Sequence, residues 1–93
     1  MAGLELVRIL WADAHAGNQE WSPLEELDDH DEYLVESVGF LLPETAGGKK
    51  GHVSLAQSIT PDGHVDHVLY VPAGMVRHME TLQAVLPYTP PAV

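Results

Sequence analysis

The chain contains no cysteine. Disulfides, thiolate zinc sites and thiol nucleophiles are therefore excluded, and the fold makes no demand on an oxidising compartment. Basic residues are almost as scarce. Arg8, Lys49, Lys50 and Arg77 stand against 14 acids, for a formal net charge of −10. Such a surface repels phosphate backbones and anionic lipid, which argues against nucleic-acid and membrane-surface partners. Basic proteins and cations are what it attracts, although solubility alone is the blander use of the same charge. Long apolar runs are missing too. The longest, Val38-Gly39-Phe40-Leu41-Leu42, falls far short of the ~20 residues of a membrane helix. Glu5 and Arg8 break the apolar start, so the N-terminus reads as folded chain rather than as a signal peptide. A soluble, cytoplasmic protein is expected.

Ninety-three residues make one domain. A chain of this size buries only about 60–65% of its unfolded surface. Its core is modest, with little room for a deep, water-excluding active site. What is present is alternation. Val7, Ile9 and Trp11 share one face of a first strand from Leu4 to Trp11, with Arg8 and Leu10 on the other. Tyr33 to Leu42 is the strongest strand. Leu34, Val38, Phe40 and Leu42 align on its expected inner face, with Glu36 as the exception. Gly39 predicts a bulge or sharp bend where another backbone comes close. The 43–51 segment, with Gly47, Gly48 and Gly51, reads as a flexible hairpin tip. Val53, Leu55, Gln57 and Ile59 mark one face of the return strand. Pro61-Asp62-Gly63 turns a second hairpin, because Asp-Gly favours positive φ. Val65, Leu69 and Val71 then point inward, with His67 on their face.

Two stretches stay outside this pattern. Residues 19–32 read as a long connection, in which Trp21-Ser22-Pro23 gives an extended or turn entry or, alternatively, Ser22 caps a short helix with Pro23 at its first position and Glu25 and Glu26 in its first turn. Seven acids and no base lie between Glu25 and Glu36. At the other end, Met75, Met79, Leu82 and Leu86 fit a helical stripe. A turn followed by a short last strand fits nearly as well. Pro87, Pro90 and Pro91 end regular structure, so 1–86 form the domain and 87–93 a flexible tail. The fold class is mainly β: an SH3-like or Sm-like small barrel, or a strongly bent antiparallel sheet of four to five strands, with room for one short C-terminal helix.

Chemistry is thin. His64 and Asp66 share a strand face, but one hairpin offers two good ligands where a tight zinc site wants three or four, so no metal site is assigned. Asp28-Asp29-His30-Asp31-Glu32 lacks the spacing and central glycine of a calcium loop. Neither Ser54 with His52 nor Ser58 with His64 sits on a strained elbow that would make a nucleophile. Gly47-Gly48-Lys49-Lys50-Gly51 lacks P-loop spacing. No catalytic residue and no cofactor is expected. Trp11, in phase with Val7 and Ile9, is read as core. Trp21, beside Pro23 in the long connection, either staples that loop to the domain or stands exposed as a contact residue.

Four short pieces carry a resemblance: Trp11-Ala12-Asp13, Glu36-Ser37-Val38-Gly39-Phe40-Leu41, Leu55-Ala56-Gln57-Ser58 and Val71-Pro72-Ala73-Gly74. In this order the chain resembles small uncharacterised proteins of tailed bacteriophages and prophages. The resemblance implies a viral or prophage origin and action in a bacterial cytoplasm, and it brings no activity with it. The function expected is a non-catalytic interaction protein that binds a host or phage protein, with Trp21, Asp28, Asp29, Asp31, Glu32 and Tyr33 as its contact residues. The alternative is an oligomeric module that holds a nucleotide-like ligand between subunits, with Lys49, Lys50 and Arg77 meeting the anion. A metal-dependent protein using His64, Asp66 and a distant histidine stands third.

Overall fold

A computed structural model describes residues 3–13, 21, 23–26 and 32–92. The sequence-predicted Ser22 cap and contact residues Asp28, Asp29 and Asp31 lie outside these residues. Five strands form one antiparallel sheet: β1 (Leu6–Asp13), β2 (Tyr33–Leu42), β3 (His52–Ile59), β4 (Val65–Pro72) and β5 (Val76–Thr81). Their spatial order is β4-β3-β2-β1-β5. The first four strands fall within two residues of their sequence-predicted bounds, because alternation and turn residues set them locally. The ambiguous C-terminal stretch is a 3-10 turn, Ala73–Met75, followed by β5. No helix occupies this stretch. The stripe of Met75 and Met79 has the spacing of both structures, and pairing with β1 selects the strand.

Connectivity dictates the shape. β4 and β5 are adjacent in the chain yet lie at opposite edges of the sheet. Four strand spacings of about 4.8 Å would separate them by roughly 19 Å on a flat sheet. The three residues of the turn between them rise only about 6 Å. The sheet must therefore curl. No ladder joins β4 to β5, so this is a strongly bent open sheet and not the closed barrel. β2 changes partner along its length: it pairs with β1 from Tyr33 to Phe40 and with β3 from Phe40 to Leu42. Gly39 sits at the changeover. A Cβ there would stand 2.9 Å from the Ala56 carbonyl oxygen, so only glycine lets β3 come so near. The close backbone approach that the sequence predicts at this glycine is present.

The inside of the curl is the core. Val7, Ile9, Leu55 and Val71 are buried together, with Trp11, Leu41, Val53, Leu69 and Val76 packed against them. Each full burial of this kind contributes about 1.5–3 kcal/mol. Trp11 donates its indole N–H to Ser37 Oγ at 3.0 Å, which satisfies the polar end of a half-buried ring.

The expected inner face of β2 is corrected except at Leu42, which is buried as expected. Register with β1 puts Ser37 opposite Ile9 and Gly39 opposite Val7. The core side of β2 is thus Val35, Ser37, Gly39 and Leu41. Leu34 and Val38 are on the outer side, 52% and 50% exposed. Glu36, the exception in the sequence pattern, belongs there because it meets Arg8 across the strand pair. Both faces of β2 are apolar, and only the long-range register distinguishes them. His67 borders a shallow surface hollow with Leu55 and Leu69, but its side chain is 74% exposed, with a φ of 47°, and Val65 is exposed as well.

The two hairpin connections, which flank β3 at its opposite ends, are tightly bonded. Pro43 O accepts from the N–H groups of Ala46 and Gly48 at 2.9 Å. Gly51 N–H donates to Glu44 Oε1, and Lys49 N–H to the buried Ser54 Oγ. The glycine-rich segment read as a flexible tip is therefore a closed turn. Gly63, with φ of +90°, supplies the left-handed residue that the second hairpin required.

Candidate protein-interaction surface

The long connection leaves β1 after Asp13 and enters β2 at Tyr33. Its described part contains one 3-10 turn, Leu24–Glu26, shorter than the helix the Ser22-Pro23 pattern suggested. Trp21 precedes this turn with a relative exposure of 103%. Of the two sequence readings of this ring, the exposed one holds. Leu24 and Tyr33 are exposed as well. Indole and phenol rings carry large apolar area with a polar tip, and such rings standing in water are the usual anchors of protein contacts.

The end of the connection is fastened. Arg77 of β5 grips Glu32 through Nε, at 2.9 Å from both carboxylate oxygens, and through Nη2 to Oε1. Its Nη1 donates to the Gly74 carbonyl at 2.8 Å. Arginine's planar fork makes such two-point contacts directional. The hydrogen bonds from Arg77 hold the Glu32 carboxyl below its ordinary range, and Glu32 raises Arg77 in turn. Two sequence-predicted residues with opposite assignments are thereby brought together. Glu32 is tied to the domain, and the guanidinium offered to an external anion already holds an internal one.

A second ionic cluster lies on the outer face of the sheet. Arg8 bridges Glu36 at 2.9 Å and Glu80 at 2.8 Å, and joins β2, β1 and β5 across one row. Both carboxyls are lowered, chiefly by the hydrogen bond from Arg8. His78, 3.5 Å from Glu80, adds to the shift of that residue. Leu6, Leu34 and Val38 stand exposed on the same strands. The sequence hinted at this cluster only through a charge at an otherwise apolar position.

The remaining candidates disperse. His64 pairs with Asp62 at 3.2 Å, and His67 with Asp66 at 3.0 Å, each at an exposed site. Thr60 and then His64 lower Asp62 by hydrogen bonding. Among the described residues, no three histidine or carboxylate groups converge as metal ligands. Lys49 and Lys50 are exposed on the closed turn, with Lys49 Nζ 6.0 Å from the centroid of the Tyr70 ring. No helix among the described residues is long and apolar enough to cross a membrane.

Comparison with known proteins adds no family: no family model, no curated protein and no solved structure matches the chain.

Proposed function

We propose that this chain is a small non-catalytic interaction protein that binds a host or phage protein through the margin carrying Trp21, Leu24 and Tyr33. The observation that carries the reading is the fully exposed Trp21 indole. Leaving a ring of this size in water forfeits several kcal/mol of possible burial. Around it the surface is acidic, with Glu25 and Glu26 in the turn beside Leu24. Negative charge speeds encounter with a basic partner, and the rings supply affinity once in contact. The Arg77–Glu32 grip supports this reading. It anchors one end of the connection, so less motion is lost on binding.

The test is affinity capture from bacterial lysate with the native chain and its Trp21→Ala variant, at low and moderate salt. Partners held by the native chain, lost with the variant and weakened by salt are the expected outcome. Identical retention by both chains, or retention by neither, would remove the proposal.

A further inference from the structure

We propose that residues 83–92 of one copy of this chain dock into an apolar groove on a second copy. The groove is lined by residues of β2, β3 and β4 and by small residues of the 43–51 and 60–64 connections, which flank β3 at its two ends. It has a volume of about 460 Å³ and is lined by Leu4, Leu42, Ile59, Val65, Val68 and Tyr70, with small residues between them. That volume is within the ~300–1,000 Å³ range of sites that hold compact ligands. No charged residue lines it, in a chain of 14 acids. Its occupant must be apolar and uncharged.

Residues 83–92 meet both conditions. They include no charged side chain. The segment leaves β5 after Leu82, whose N–H is bonded to the Leu6 carbonyl at 2.8 Å, and forms no further strand or helix. Val85, Leu86 and Tyr88 are 90%, 81% and 81% exposed, so the segment does not pack on its own groove. Pro87, Pro90 and Pro91 fix φ and favour an extended polyproline-type form. Aromatic-lined grooves take up that form readily, since little order remains to be imposed. Tyr70 is the aromatic here.

The exposed segment itself makes a second copy the partner, and charge decides only where two copies can touch. Two molecules of charge −10 repel over most of their surfaces. Segment and groove are the electrically blank regions, so contact there adds no like charge. Lys49, beside Tyr70, gives the groove a basic border, which offsets the general repulsion. Segment and groove belong to the same chain, so the exchange is either reciprocal, giving a closed dimer, or head to tail around a ring. The contact is independent of Trp21.

Light scattering of the full chain over a wide concentration range is the first test. A mass above the monomer that rises with concentration is expected, with reversion to monomer in Leu86→Asp and in Tyr70→Asp. Tyr70 is exposed enough for the latter variant to keep its fold, checked by circular dichroism. The absence of native cysteine permits a direct second test. Leu86→Cys and Val65→Cys proteins, mixed under oxidation, should give a disulfide-linked heterodimer in higher yield than either alone. A monomer at all concentrations would overturn the proposal. An oligomer untouched by Leu86→Asp would do the same. So would a double-cysteine chain that closes only on itself, since that places the segment in its own groove.

Discussion

Gly39→Ala is expected to destabilise the protein, whereas Gly74→Ala is expected to stabilise it. Both changes stiffen the unfolded chain, which by itself favours folding by about 0.4–1 kcal/mol where the native conformation accepts a side chain. At Gly74 nothing lies within 4 Å of the added carbon, so this gain should be realised in full. At Gly39 the carbon meets Ala56 O at 2.9 Å and Leu55 Cβ at 3.1 Å. The closer obstacle is backbone in a paired strand, and it cannot rotate away. Overpacking of a fitted interior costs about 1–3 kcal/mol. The immobility of this contact favours the upper half of that range, about 2–3 kcal/mol, which leaves a net loss of about 1–2.6 kcal/mol. For a domain of this size each kcal/mol moves Tm by about 4–8 °C, so a fall of roughly 4–21 °C is expected. Thermal melts followed by circular dichroism, with urea titration to confirm an unchanged slope, measure both variants. If Gly39→Ala melts at or above the native chain, β3 is not held against β2 at this glycine, and the account of this close approach fails.

Ser54→Ala should cost about 0.5–1.5 kcal/mol in urea titration, because the Lys49 N–H loses its acceptor; exposed Ser58→Ala should stay within about 0.5 kcal/mol of native. Glu32, Glu36 and Glu80 are all lowered by arginine contacts. Their contribution is therefore fully present above the ordinary glutamate range near ~4.3 and fades as pH falls through the depressed values. Tm should hold down to about pH 5 and then drop, and the triple variant Glu32→Gln, Glu36→Gln, Glu80→Gln should show a shallower acid fall. Partner binding measured by calorimetry should weaken as salt rises; an affinity independent of salt would contradict an electrostatic contribution.

The strands were legible because each depends on its own few residues. Alternation in Val7, Ile9 and Trp11, and the turn chemistry of Asp62 and Gly63, are local facts. The close approach of a backbone at Gly39 was legible for the same reason. The facing of β2 was not, since Leu34, Val38 and Phe40 compete with Val35 and Leu41, and the choice lies in a register with β1 set some thirty residues away. Curvature without closure follows from strand order, which no single stretch reveals. At the interaction surface, the exposure of Trp21 was one of two open readings. The grip of Arg77 on Glu32 joins residues 45 apart, and each had been read alone. The groove draws on residues from Leu4 to Tyr70, so it exists only once the sheet is folded.

The pairing of Val7 with Thr81 has a consequence for biosynthesis. β1 leaves the ribosome long before β5 exists, and one flank of its backbone stays bare until the last strand arrives. Ladders between such distant segments form slowly, because a long loop must close before they repay its entropy. Until β5 has been made, β1 can pair on one side only, with β2. That interval is when it is most open to chaperones or to mispairing with a neighbouring nascent chain.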